Sequence, residues 1–145
     1  MDDLRKEFEE LLQNRCVDNC ETNEDLYEYP DYVEAINAKL MPPVKSGVYI
    51  SRWDLKIVGD VINASIAMDT RDRMYKMLMR SVHNKETMKQ LLDAFSSLID
   101  VKIKSYREMM QKYPSSTIIF EDKIKKAKNV KAYFNEVLDT YFPKN

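Results

Sequence analysis

The chain has 145 residues, 44% hydrophobic and 32% charged, with 2 Gly, 5 Pro, 2 Cys and a formal net charge of −1. That length suits one domain of ordinary size, and the apolar content excludes a wholly disordered chain. So few glycines and prolines exclude collagen-like and turn-rich all-β architectures, and no apolar run approaches the ~20 residues that span a bilayer.

The near-zero charge conceals an asymmetry. Residues 1–40 carry twelve acids against four bases, net −8, and residues 41–145 carry twelve acids against nineteen bases, net +7. Such a division suits an acidic segment lying over a basic body, or charge scattered over solvated helix faces. Residues 1–10 are acidic and lack the apolar stretch of a signal peptide, so a cytoplasmic, reducing setting is expected.

Residues 2–14 read as a first helix, with Leu4, Phe8, Leu11 and Leu12 on one face. Asp2 and Asp3 meet the positive end of its dipole. The polar stretch 14–23, holding Cys16 and Cys20, ends it. An acidic and aromatic run follows, with Tyr27, Tyr29 and Tyr32 among Glu24, Asp25, Glu28, Asp31 and Glu34. Pro30 suits the first turn of a helix carrying Val33, Ile36 and Leu40, which Pro42 and Pro43 stop. Residues 44–50 form a connector that holds Gly47 and ends in an extended stretch.

Ser51-x-x-Asp54 resembles a capping box and opens the most strongly patterned part. Leu55, Val58, Ile62 and Ile66 form one stripe; Ile57, Val61, Ala64 and Met68 form a second beside it. So broad an apolar face predicts a central, buried helix. Charged residues 69–73 interrupt the pattern, which resumes with Met74, Met77, Leu78 and Val82. With no Gly or Pro at the interruption, one helix over 51–82 is expected. Asn84 is a suitable N-cap for a helix over 84–113 that Pro114 ends. Ser115 or Ser116 caps a last helix, 116–142, with Phe120, Ile124, Ala127, Val130, Phe134, Val137, Leu138 and Tyr141 on its face.

The expected fold is therefore all-α: an elongated up-down bundle of three long helices (51–82, 84–113 and 116–142) with one or two shorter N-terminal helices. A single domain, 1–145, is expected, with the acidic segment 1–43 packing on the 51–142 bundle.

No catalytic or cofactor motif stands out. Cys16 and Cys20 make an incomplete metal pattern beside a single histidine, His83. No Glu-x-x-His is present and Glu is absent from 51–85, which argues against a di-iron bundle. The expected function is a non-enzymatic protein-interaction module: a homo-oligomer such as a homodimer, an adaptor or a chaperone-like partner binder. It needs no cofactor, metal or membrane. Tyr27, Tyr29, Tyr32, Trp53 and Met79 are its candidate contact residues. Nine methionines suit either core gaps or an adaptable surface. The alternative is nucleic-acid binding through Lys102, Lys104, Lys123, Lys126, Lys128 and Lys131, merged into one patch by antiparallel helices. A third reading is a ligand pocket in the bundle core with Asp60, Asn63, His83 and Asp93 as its polar groups.

Overall fold

Every regular element among the described residues is helical. The computed structural model describes residues 28–143. Its contacts divide the chain after Pro30, with 31 onward forming one unit. That unit contains α1 (Asp31–Leu40), α2 (Pro43–Ser46), α3 (Arg52–Val61), α4 (Arg71–Arg80), α5 (Lys85–Lys112), a 3-10 turn (Pro114–Ser116) and α6 (Thr117–Tyr141). The expected helix at 2–14, Cys16, Cys20 and Tyr27 lie outside the described residues.

Helices α5 and α6 form an antiparallel hairpin. Phe95 meets Phe134 at 6.5 Å between ring centroids and Tyr106 meets Phe120 at 5.6 Å, so residues advancing along α5 meet residues receding along α6. Asn84 starts α5 with its side chain accepting from the Thr87 N–H, while Thr87 reciprocates at the Asn84 N–H. No Gly or Pro follows until Pro114, so α5 runs 28 residues, about 42 Å. The turn before α6 is fixed differently from expectation. Ser116 makes no side-chain cap; the Thr117 hydroxyl donates to the Pro114 carbonyl instead.

Helices α1, α2 and α3 pack on this hairpin, and α4 packs on α3. Helix α1 buries Val33, Ile36 and Leu40, and the buried Tyr75 hydroxyl of α4 donates to the Val33 carbonyl. Helix α2 ends at Gly47 (φ 77°), whose backbone lies against α6: a Cβ there would stand 2.3 Å from the Lys123 carbonyl oxygen. Only a residue without a side chain fits both the left-handed conformation and that approach. Tyr106 donates to the Gly47 carbonyl from α5, tying the same turn to both long helices.

One expected long helix is two. The 51–82 stretch stops at Val61 and restarts at Arg71. The Ser51/Asp54 capping box forms as expected. Termination occurs at Asn63, in the left-handed region (φ 59°). The Asn63 N–H reaches the Asp60 carbonyl and the Ala64 N–H reaches the Gly59 carbonyl at 2.8 Å. This pair of bonds is the Schellman closure of a helix end, for which Asn is the commonest residue after Gly. Ile66 then folds back over Gly59, where an added Cβ would lie 2.9 Å from the Ala64 carbonyl oxygen and 3.1 Å from Ile66 Cγ1. The connector is held from α3, by Lys56 to the Ile66 carbonyl (2.9 Å) and Arg52 to the Asp69 carbonyl (2.6 Å). Thr70 caps α4 by accepting from the Arg73 N–H.

Candidate functional site

The break in the chain sets α3 beside α5. At its start, Asp54 pairs with Lys102 at 3.0 Å. At its end, Val61, Ile62 and Asn63 share a groove whose α5 wall runs from Gln90 to Val101. Since that wall extends toward lower numbers from Lys102, the two helices are antiparallel. Helix α3 has 10 residues, so the groove is about 15 Å long.

Its volume is about 770 Å³. Ile57 and Val61 form one wall; Ala94, Leu98 and Val101 form the other. Both sets follow 3–4 spacing, so each wall is a helical stripe. Ile57 is 54% exposed, Val61 65% and Val101 66%. Trp53, one turn before Ile57 on the same helix, is 68% exposed. The second stripe of the sequence, expected to be buried, is thus largely open to solvent. Leu55, Val58 and Gly59 are the residues α3 buries. Monomeric surfaces rarely gather so many large apolar side chains on one face without a partner.

Two charged residues line the groove, Asp54 and Asp93. Burial alone would raise the Asp54 carboxyl, but the Ser51 N–H and the Lys102 ammonium outweigh it and hold the group below the ordinary carboxylate range. Asp93 makes no ion pair or hydrogen bond with the described residues. Asn63 lies at the same end, and Asp60 beside it lines a small adjoining hollow. Three of the polar groups suggested for a core pocket, Asp60, Asn63 and Asp93, therefore gather at one end of an open groove. His83 is exposed in the turn before α5.

The other expected contact residues fall elsewhere. Met79 is 2% exposed, a correction to its expected surface role: α4 buries Met74, Tyr75, Leu78 and Met79 together, a face wider than one stripe. Tyr32 packs edge-on against Tyr141 at 6.0 Å and tilted against Phe142 at 5.3 Å. Tyr29 is half-buried.

Three of the six lysines are engaged by carboxylates. Lys102 is held by Asp54, Lys126 by Asp122 and Lys131 by Asp100. Lys102 faces α3, whereas Lys126 lines a polar depression with Lys39 and Lys45 of α1 and α2. Lys104 and Lys128 project outward, and the Lys123 backbone abuts Gly47.

Among the described residues, no group of three or more His, Cys, Asp or Glu is placed to hold a metal ion, and no helix is long and apolar enough to cross a membrane. No protein-family model, no curated protein and no solved structure matches the chain.

Proposed function

We propose that the protein is a helical protein-interaction module whose contact surface is the α3/α5 groove. The observation that carries this reading is the apolar lining of the groove: exposed Ile57 and Val61 facing half-buried Leu98 and exposed Val101, with exposed Trp53 one turn before Ile57 on the same helix. Two antiparallel helices that each turn a stripe of 3–4 spacing outward make the groove of a bundle short of one member. The element that fills such a groove is an amphipathic helix, whose ridge of side chains interlocks with both walls. A small ligand is a poorer fit, because the groove is open along its length and has few convergent polar groups.

The test uses the single tryptophan. A leucine-striped, uncharged helical peptide of about fourteen residues is titrated into the full chain while Trp53 emission is followed. Binding should shift the emission to the blue and shield Trp53 from acrylamide. Ile57→Lys or Val101→Lys should abolish both effects, since either puts a charge on a wall. Unchanged emission at near-millimolar peptide would remove the reading. Nucleic-acid binding is the weaker reading, because Lys102, Lys126 and Lys131 are engaged by carboxylates and face different neighbours.

A further inference from the structure

The two charged groups lining the groove are both carboxylates, and they differ in one respect. Asp54 has its cation, Lys102, at 3.0 Å. Asp93 has none among the described residues. It lies on α5 next to Ala94 and one turn from Gln90 and Ser97, at the end of the groove formed by Val61, Ile62 and Asn63. Asp60 lies at that end too, paired only with Lys56 at 3.7 Å in an exposed contact, which leaves most of its charge to solvent.

We propose that the groove's occupant is a cationic amphipathic helix of about three turns from another protein, its apolar ridge between the Ile57/Val61 and Leu98/Val101 walls and a lysine or arginine over Asp93. This rests on the reading of the groove as a helix-binding surface. Charge complementarity selects the occupant. A second copy docking groove to groove about a two-fold axis sets the Asp60/Asp93 end either against its own like-charged counterpart or against the opposite end, where Lys102 is already paired with Asp54, so neither arrangement offers Asp93 a free cation from the groove. The chain's own apolar-striped segment 2–14 carries Asp2, Asp3, Glu7, Glu9 and Glu10 against Arg5 and Lys6, again the wrong sign. A foreign cationic helix alone satisfies both the apolar walls and the free carboxylate. Its charge would add specificity and speed of encounter to an affinity that comes from the apolar ridge.

The experiment compares two stapled helical peptides with the same leucine stripe, one flanked by arginines and one by glutamates. Each is titrated into the full chain at low and at physiological salt, with Trp53 emission as the readout and light scattering to report the oligomeric state. The arginine peptide should bind about tenfold more tightly at low salt, and the gap should narrow as salt rises. Asp93→Lys should reverse the preference while leaving urea unfolding unchanged, because Asp93 is exposed and touches no partner. Equal binding of the two peptides, or indifference to Asp93→Lys, would overturn the charge assignment and leave the groove reading standing. Binding of neither would overturn both. A dimer that Ile57→Lys dissolves would make the occupant a second copy and overturn the proposal.

Discussion

Gly59→Ala tests the feature on which the groove depends, the end of α3. Elsewhere in a helix this substitution stabilises by about 1 kcal/mol, because glycine costs backbone entropy. Here the new Cβ would lie 2.9 Å from the Ala64 carbonyl oxygen, 3.1 Å from Ile66 Cγ1 and 3.4 Å from Ile66 Cδ1. The side chain of Ile66 can yield by changing rotamer. The Ala64 carbonyl cannot do so cheaply, because its peptide is fixed by the bond from the Ala64 N–H to the Gly59 carbonyl and by the left-handed Asn63. Overpacking of this kind costs about 1–3 kcal/mol, and loosening the closing bond costs about 1 kcal/mol more. The steric term wins, with a net loss of about 1–3 kcal/mol, each kcal/mol lowering Tm by a few degrees for a chain of this size. Urea unfolding followed by far-ultraviolet circular dichroism measures it. Asn63→Ala is the companion, costing about 1 kcal/mol through the left-handed backbone alone. If Gly59→Ala is as stable as the wild type or more so, α3 continues past residue 62 and the reasoning fails.

Three further outcomes follow from the same contacts. Asp54→Asn should destabilise by about 1–2 kcal/mol at neutral pH, since it weakens both the capping box and the Lys102 pair. The folded carboxyl is held below its unfolded value, so the unfolded chain takes up protons first as pH falls. The advantage of the wild type over this variant should therefore be full above the ordinary carboxylate range and shrink progressively as pH falls through and below it, so it should be smaller near pH 3 than at pH 7 in denaturation experiments. Tyr75→Phe should cost about 1 kcal/mol by removing the buried hydroxyl's bond to the Val33 carbonyl. Burial, with the Glu34 carboxylate, pushes the Tyr75 hydroxyl well above its ordinary value of 10.0. Unfolded Tyr75 ionises first, so wild-type stability should fall above about pH 10 more steeply than that of the phenylalanine variant. Ile57→Lys should change urea stability by less than about 0.5 kcal/mol, because that side chain packs on little in the isolated chain; a larger loss would place it in the core.

Much of the helical pattern was legible in residue types. Ser51-x-x-Asp54, Asn84 and Pro114 mark ends by mechanisms that act within one turn, and each lies at a helix end in the structure. Asn63 and Thr70 carried the same kind of signal for the break over 62–70. They were outweighed by apolar periodicity, because Ile62 and Ile66 stay in register on either side of a residue whose left-handed turn the periodicity does not register. The groove was half legible. Two stripes on one helix showed an excess of apolar surface, but periodicity names a face and not what covers it. Ile57 and Val61 stay exposed although Ala94, Leu98 and Val101 of α5 face them across the groove, a fact of pairing between distant segments. Met79 failed for the same reason, since α4 is covered over more than one stripe. The pairing of Lys102, Lys126 and Lys131 with Asp54, Asp122 and Asp100 was not legible in the sequence, because two of those carboxylates come from other helices.

The measurement that bears most directly on the groove is site-specific photo-cross-linking of the full chain in its own cells. The cross-linking residue replaces Ile57, Val101 or, as a control on the outer face of α6, Lys128. Cross-linked peptides are then sequenced by mass spectrometry. Positions 57 and 101 should both mark the same short segment of one other protein, with an apolar stripe and flanking lysine or arginine, and position 128 should not. Cross-links from 57 and 101 no more frequent than from 128, or leading only to a second copy or to residues 1–27 of the same chain, would contradict the account.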